Sequence, residues 1–446
     1  MKAIIDAASP AHALGRDGPL ALVRLCGVPL VLRALYVLKN SGVGEAIIVS
    51  GPYGEQLSSF LGDGDELGIR LSYASGLGEA LEMAGEGDVL LVPVGLVASE
   101  SFFELLLGSE GPVVAVVEGE PVGAIRARAE DIREVLRGDV VGLTGLAASL
   151  LARGKARALD PASFEIPEPT VRRALRPLCV LVRDKDSWLR AKRALVFRTQ
   201  KGLHFTGYMN KPVEDRIVYH LSEHAWITPN TITVIGNILA FAIAPLFIMG
   251  HFLYASLLAY LVGIIDGLDG KLARSRGFLT KLGHIEHSFD MLFEQTWYLS
   301  FALGLYLAYG RWWLLLAGGA FLVLDTFVRH VYMQFKDTMG IALTAASPTD
   351  RRFALMDGRR NMYLLYMIVF SALGFFGLSL GPFPMPVYAL FAMLAHAWLT
   401  AIFYVVRACQ HMSRADRASG VLAWMRLAKK APKLKKLKTR GEGHGA

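Results

Sequence analysis

From Ala225 to Gly250 the chain carries no charged side chain. As a helix, that stretch is long enough to cross a hydrocarbon core of about 30 Å. Apolar residues make up 53% of the 446-residue chain, and the mean hydropathy of +0.39 is too high for a soluble protein of this length. The apolar excess is concentrated after Ala225, so the chain reads as two halves. Further spans are expected at about 252–270, 285–308, 312–335, 361–380 and 385–406. The expected fold is therefore multi-domain, with a six-helix transmembrane α bundle over 225–410 behind a polar N-terminal half.

Acids interrupt this apolar half at one place. Asp266 and Asp269 lie near the inner end of the second expected span, and Glu286 and Asp290 open the third. A carboxylate at membrane depth costs several kcal/mol unless a cation neutralises it, which makes such residues functional candidates. On helices, the i,i+3 pair Asp266/Asp269 and the i,i+4 pair Glu286/Asp290 each present both carboxylates to one side. Two facing helices so equipped can enclose hard cations, and Mg²⁺ (or Mn²⁺), as two ions, is the expected cofactor. Gly267 and Gly270 remove side chains beside the acids and let a bulky ligand approach the backbone. Arg274, one turn beyond Gly270, is a candidate phosphate donor.

The run Asp266-Gly-Leu-Asp269-Gly270-Lys-Leu-Ala273-Arg274, followed after eight residues by Gly283, resembles the CDP-alcohol phosphotransferases. These membrane enzymes have the pattern Asp-x2-Asp-Gly-x2-Ala-Arg-x8-Gly-x3-Asp-x3-Asp. Strict spacing places the last two acids at His287 and Met291; shortening it by one residue restores Glu286 and Asp290. Glu286-His287-Ser-Phe-Asp290 then also resembles the Asp-His-x-x-Asp variant of choline- and ethanolamine-type members. Glu286 is a methylene longer than the family's Asp. The resemblance implies attack of an acceptor hydroxyl on the β-phosphorus of a CDP-alcohol, with CMP released. It assigns Asp266, Asp269 and Glu286 to metal, and Asp290 to general base and second-metal ligand. Lys271 and Arg274 would hold phosphates, while Gly267, Gly270, Ala273 and Gly283 make room for the nucleotide. Thr228-Pro229-Asn230, at the head of the first span, has a counterpart in the family, as a nucleotide contact or simply a helix cap. In members that accept inositol phosphate, arginines before the fifth span hold the acceptor phosphate, which makes Arg359 and Arg360 candidates; positive-inside topology explains them equally well. Members are dimers, so a homodimer is implied. The partners are then a CDP-alcohol, an alcohol acceptor, CMP and membrane lipid.

Other intramembrane charges have plainer readings. Asp325 and Arg329, at i,i+4, read as a structural ion pair, and Glu294, a turn past Asp290, as a residue behind the ligands.

The first 185 residues read as a separate α/β domain. Lys2–Ile5, Glu45–Val49, Asp88–Val92 and Pro112–Val117 are buried-strand runs, with helical stretches near Pro29–Ser41 and Gly54–Leu61 between them. Alternation implies a mostly parallel three-layer arrangement. Gly27-Val-Pro29-Leu30, Gly42 and Val49-Ser-Gly51-Pro-Tyr53 resemble sugar-phosphate nucleotidyltransferases. The chemistry of that family is missing. Its Ala-Ala-Gly-x-Gly-x-Arg loop is replaced by Ala7-Ala8-Ser9-Pro10-Ala11-His12-Ala13, without the glycines that admit a triphosphate or the Arg that neutralises it. Its Pro-Lys becomes Pro19-Leu20, and Pro93-Val94-Gly95 lacks the expected metal-binding Asp. A degenerate nucleotidyltransferase-like domain is expected, joined as in the archaeal bifunctional inositol-phosphate cytidylyltransferase/transferase proteins.

Residues 186–224 are basic, aromatic and amphipathic, and read as interfacial helices on an anionic leaflet. Met1–Ser9 has the pattern of a strand and not of a cleavable signal, which puts the N-terminal half in the cytosol. The outer connections near Tyr309–Arg311 and Gly381–Pro386 hold one basic residue, whereas Lys271–Lys281, Lys336–Arg360 and the 411–446 tail are rich in Lys and Arg. Six spans return the C-terminus to the cytosol. Counting from Phe252 at the outer end, Asp266 lies about 21 Å along its helix, inside the cytosolic leaflet. Arg426–Arg440 holds eight Lys or Arg and no acid. Beside a bilayer it meets anionic lipid, so no nucleic-acid partner is expected despite the net charge of +8. Cys26, Cys179 and Cys409 have no ligand spacing and imply neither zinc nor a disulfide frame. Two alternatives stay open: a bifunctional enzyme that also makes the CDP-alcohol from CTP, and a non-enzymatic cation transporter or membrane scaffold.

Overall fold

The computed structural model describes residues 1–137, 142–168, 171, 173–201, 204–279, 282–421 and 425. The basic stretch Arg426–Arg440 and Lys281 therefore lie outside the described residues. Seven strands form the main sheet: β1 (Lys2–Asp6), β2 (Glu45–Val49), β3 (Arg70–Ala74), β4 (Asp88–Pro93), β5 (Val113–Val117), β6 (Glu120–Arg128) and β7 (Arg157–Leu159), in the spatial order β7-β5-β6-β4-β1-β2-β3. Around β1 the pairing is parallel, with Ile4 opposite Ile47 on one side and Leu91 on the other. β2 with β3 and β5 with β7 are also parallel, whereas β6 runs antiparallel to both β4 and β5. The expectation of a mostly parallel sheet holds, with β6 as the reversed strand.

Among the described residues, six helices accompany the sheet: α1 (Leu30–Asn40), α2 (Gly54–Leu61), α3 (Leu77–Ala84), α4 (Glu100–Gly108), α5 (Ala129–Leu136) and α6 (Gly142–Ala152). Successive strand residues face opposite sides, so each strand feeds two cores. Ile5, Ile48 and Val92 join Val31 and Leu35 of α1 and Phe102 of α4. Ile4, Ile47 and Leu91 join Leu81 of α3, Ile132 of α5 and Leu146 of α6. The result is the three-layer α/β arrangement read from the sequence.

Beyond the sheet come α7 (Lys185–Arg198), α8 (Phe205–Leu221), α9 (Pro229–Ile248), α10 (Phe252–Arg276), α11 (Glu286–Tyr309), α12 (Trp313–Met339), α13 (Pro348–Phe353), α14 (Arg360–Phe375) and α15 (Met385–Ala418). Asp184 and Ser187 form a reciprocal cap at the start of α7. Ala191, Leu195 and Val196 of α7 and Val218 of α8 are buried in the core that contains Leu90 and Val92. Phe205, Tyr208, Met209 and Val213 of α8 remain exposed, an apolar face suited to an interface.

Contacts divide the chain into Met1–Phe241 with Leu261–Met291, and Ala242–Tyr260 with Leu292–Ala446. Among the described residues, four helices, α9, α10, α12 and α15, are long and apolar enough to cross a membrane. The other two expected spans are helical too, but α14 has 16 residues and α11 begins with Glu286, Asp290 and Glu294. In the first unit Val234, Ile235, Ile238 and Leu239 of α9 face outward; in the second so do Leu316 and Val323 of α12 and Leu399 and Ile402 of α15. Large apolar side chains on the outside are the inverse of a water-soluble surface.

The second unit keeps its buried charges paired. Arg329 bonds Asp325 at 2.8 Å, as the i,i+4 spacing implies, and also pairs with Glu294. Glu294 further holds Arg360 at 3.2 Å.

Candidate active site

The four acids of the motif come together in the first unit. α10 runs unbroken through Asp266 and Asp269, and α11 starts at Glu286, where the positive end of the helix dipole favours an acid. Carboxylate oxygens of Asp266, Asp269 and Glu286 lie within 4.8 Å of one another. Glu286, His287 and Asp290 form a second such group, with Glu286 common to both. Among the described residues it is thus Glu286, and not His287, that joins the Asp266/Asp269 pair. The His287 ring lies 3.5 Å from Asp290 Oδ2.

Asp269 is buried and is oriented by two donors: Thr233 Oγ1 of α9 at 2.5 Å and the adjacent Gly270 amide. Carboxylates this close repel one another, and an all-oxygen donor set centred on Asp266, Asp269 and Glu286 fits a hard divalent ion such as Mg²⁺ or Mn²⁺. Lys201, in the connection between α7 and α8, is near enough for its charge to act on Glu286.

The neighbours of the acids differ from the sequence reading. Lys271 is turned toward α8. Its ammonium is buried and held by Asp215 Oδ1 at 2.6 Å and Glu214 Oε2 at 3.1 Å, both on α8. Burial lifts the Glu214 carboxyl above its ordinary range, and the Lys271 charge works against that shift. Gly267 is also explained by α8, since a Cβ there would stand 2.8 Å from Glu214 Oε1. Arg274 folds over Gly270, where a Cβ would meet its Nη1 at 2.9 Å, and its Nε donates to the Thr199 carbonyl at 2.9 Å. Ala273 and Gly283 are half-buried.

At the head of α9, Thr228 Oγ1 accepts from the Thr231 amide at 3.1 Å, a helix cap, while Asn230 stays exposed and Pro229 takes the first helical position. Arg359 and Arg360 belong to the second unit. There Arg359 pairs with Asp357 at 2.7 Å and Arg360 with Glu294. Thr233, Lys201, Glu214 and Asp215 were not singled out from sequence. The adjacent acids Glu214-Asp215 inside an otherwise amphipathic segment were the available signal for the last two.

The loop after β1 is built differently. Its Ala11 amide donates to Gly18 O at 2.8 Å, Leu14 to Ala11 O at 2.9 Å and Gly15 to His12 O at 2.9 Å, so backbone donors of the kind that cradle phosphate are spent within the loop. A Cβ on Gly51 would lie 2.8 Å from Ala8 Cβ, and one on Gly95 would lie 2.5 Å from Val182 O. At Gly95 the chain packs on its own backbone, the Val182 amide donating to Gly95 O at 2.8 Å.

Residues 226–402 match the family CDP-alcohol phosphatidyltransferase. The C-terminal region is therefore similar to that family, and with its four long apolar helices the chain is an integral membrane protein. Along 318 residues the chain is 28% identical to the bifunctional IPC transferase and DIPP synthase of Archaeoglobus fulgidus, covering 64% of this chain. The match spans 62% of the length of that relative. Among solved structures, phosphatidylinositol phosphate synthase of Mycobacterium tuberculosis with CDP-DAG bound is 17% identical, with a TM-score of 0.35 over 45% of this chain and 94% of its own. A glucose-1-phosphate thymidylyltransferase from Bacillus anthracis, described as a complex with sucrose, is 18% identical, with a TM-score of 0.34 over 43% of this chain and 93% of its own.

Proposed function

We propose that this protein transfers a substituted phosphate group from a CDP-alcohol to an acceptor hydroxyl, with release of CMP. The convergence of Asp266, Asp269 and Glu286 within 4.8 Å, in a segment that matches the CDP-alcohol phosphatidyltransferases, carries this reading. Asp266, Asp269, Glu286 and Asp290 would hold Mg²⁺ or Mn²⁺, which supplies charge neutralisation on the diphosphate when bound. Asp290 takes the proton of the acceptor hydroxyl. The new bond forms from that oxygen to the β-phosphorus as the bond from the β-phosphorus to the bridging oxygen breaks, and CMP departs with the bridging oxygen. Thr233 fixes the Asp269 carboxylate so that its oxygens are pre-aimed. Arg274 and Lys201 stand on the side of the acids and serve the donor phosphates, whereas the Lys271 ammonium is buried against Glu214 and Asp215 of α8 and serves the fold. Arg359 and Arg360 remain the candidates for an acceptor phosphate.

The setting is six spans with both termini in the cytosol, a homodimeric assembly, and a site in the cytosolic leaflet open to a soluble head group and a lipid partner. The loop after β1 argues against a second activity in residues 1–185, because its amides are bonded internally. The test is a screen of CMP release from CDP-diacylglycerol, CDP-archaeol, CDP-inositol and CDP-glycerol with candidate alcohols in Mg²⁺. Release that is lost in Asp266→Ala, with the melting temperature retained, is expected. No release from any donor by a folded protein would refute the transferase reading and leave the cation pathway or scaffold.

A further inference from the structure

The α/β domain has lost the loop chemistry of a nucleotidyltransferase, yet it grips the end of the acid-bearing helix. The last carbonyls of a helix lack intrahelical partners and carry the negative end of its dipole. At the C-terminal end of α10, that end meets Arg33 of α1. The buried Arg33 guanidinium donates from Nη2 to Ser275 O at 3.2 Å and to Leu25 O at 3.1 Å, which ties α10 to the hairpin Arg24–Pro29. Next to it, Tyr36 of α1 packs edge-on against Phe278 with ring centroids 4.9 Å apart.

The hairpin is held in its turn. Its Cys26 amide donates to Glu223 Oε1 at 3.3 Å, and Lys192 of α7 pairs with that same carboxylate at 3.2 Å. Gly27 at φ +78° passes so close that a Cβ would lie 2.8 Å from Ser222 O. Arg276, the last residue of α10, donates to the carbonyls of Ile227 and His224 at 2.8 and 2.9 Å. Leu268 and Leu272 of α10 are buried in the same core as Leu90 and Val92 of the sheet. At about 100° per residue Leu268 and Leu272 lie about 160° and about 120° around the helix from Asp266, on the side turned away from it. The sheet core therefore sets how α10 is rotated, and Arg33 sets where it ends. Ser275 is six residues beyond Asp269, about 9 Å of stiff helix.

We infer that the α/β domain serves as a bearing for α10 that fixes the position and rotation of Asp266 and Asp269, with Arg33 as its positioning residue. Arg33 touches no reacting atom and acts through the helix. The inference rests on the proposed transfer reaction for one of its readouts only.

The full-length protein, reconstituted in nanodiscs, is titrated with Mn²⁺ by electron paramagnetic resonance and assayed for CMP release. Arg33→Met should weaken Mn²⁺ binding by about tenfold and lower kcat by a similar factor, the size expected when a support behind metal ligands is removed. KM for the CDP-alcohol should change less, and Arg33→Lys should recover part of both losses. Arg133→Met removes comparable bonds, to Leu81 O and Gly85 O on the other face of the sheet, and should leave both readouts at wild-type values. A folded Arg33→Met protein with wild-type Mn²⁺ affinity overturns the inference, as does an equal loss in Arg133→Met. If Arg33→Met does not fold, Arg33→Lys and Tyr36→Leu decide: unchanged Mn²⁺ binding in both overturns it, and a loss in either supports it. Mn²⁺ binding that depends on Arg33 in a protein that releases no CMP would sink the transferase reading and uphold the bearing.

Discussion

Two segments of this chain resemble elements that handle phosphate, and the structure treats them in opposite ways. In the loop after β1, the amides of Ala11, Leu14 and Gly15 donate to nearby carbonyls, and after β2 and β4 Gly51 and Gly95 lie too close to Ala8 and Val182 to admit a Cβ. At α10 and α11, carboxylates are gathered against their mutual repulsion, and Thr233 and the Gly270 amide hold one of them in place. A fold retained for its packing closes on itself. A fold retained for binding keeps an arrangement that is costly until a ligand arrives.

The largest effect that tests this contrast is at Asp269. Asp269→Ala should lower CMP release by more than about a hundredfold and abolish tight Mn²⁺ binding, while the melting temperature holds or rises as repulsion is relieved. A variant with near wild-type turnover would place the chemistry elsewhere. Glu286→Gln against His287→Ala sharpens the same point. The first should cost about as much as Asp269→Ala, and the second less than about tenfold in CMP release; the reverse order would restore the strict family spacing at His287.

Lys271 separates a binding cation from a structural one. Lys271→Met leaves buried Glu214 without its cation and Asp215 with Lys211 alone, so it should destabilise the fold by up to roughly 3–5 kcal/mol. Thermal unfolding in detergent checks this. A variant of normal stability with a raised KM for the CDP-alcohol would instead return Lys271 to the phosphates. On the other side of the comparison, the full-length protein supplied with CTP and an alcohol phosphate should release no pyrophosphate. Release that survives Asp266→Ala would show the α/β domain to be an enzyme.

Much of this was legible before the fold. Strand runs such as Glu45–Val49, and acids at i,i+3 and i,i+4 in apolar helices, follow from periodicity and from the cost of buried charge, which are local properties of the chain. The one-residue shift to Glu286 could be written down as well, because only it restores two carboxylates. What sequence did not give was partnership across the fold. Lys271 stands in the motif like a phosphate ligand, and nothing near it announces that Glu214 and Asp215, more than fifty residues earlier, neutralise it. Thr233, more than thirty residues before Asp269 and outside the motif, orients its carboxylate from α9. Arg33 is an unremarkable helix residue until α10 ends against it. Long-range ion pairs and helix-end contacts have no period and no spacing, so they appear only with the structure.

The smallest expected effect concerns an acid of the second unit that is held by cations of its own, and so serves as the reference for the four acids of α10 and α11. Asp350, in the second unit, caps α13 beside Ser347 and receives Arg407 at 2.5 Å and His411 at 2.8 Å. Burial alone would raise its carboxyl, but the hydrogen bonds from Arg407, Ser347 and His411 outweigh it and bring it down to about 2. A carboxyl that binds its proton less readily when folded than when unfolded stabilises the fold above the ordinary carboxylate value, and that stabilisation fades as the pH falls toward 2. Asp350→Asn should thus lower the melting temperature at neutral pH and flatten its decline between about pH 4 and pH 2. Mn²⁺ binding should be unaltered, because this acid already has its cations. If Asp350→Asn instead removed metal binding, the four acids of α10 and α11 would no longer stand apart from the structural acids of this chain, and the contrast between the two phosphate-like segments would lose its physical basis.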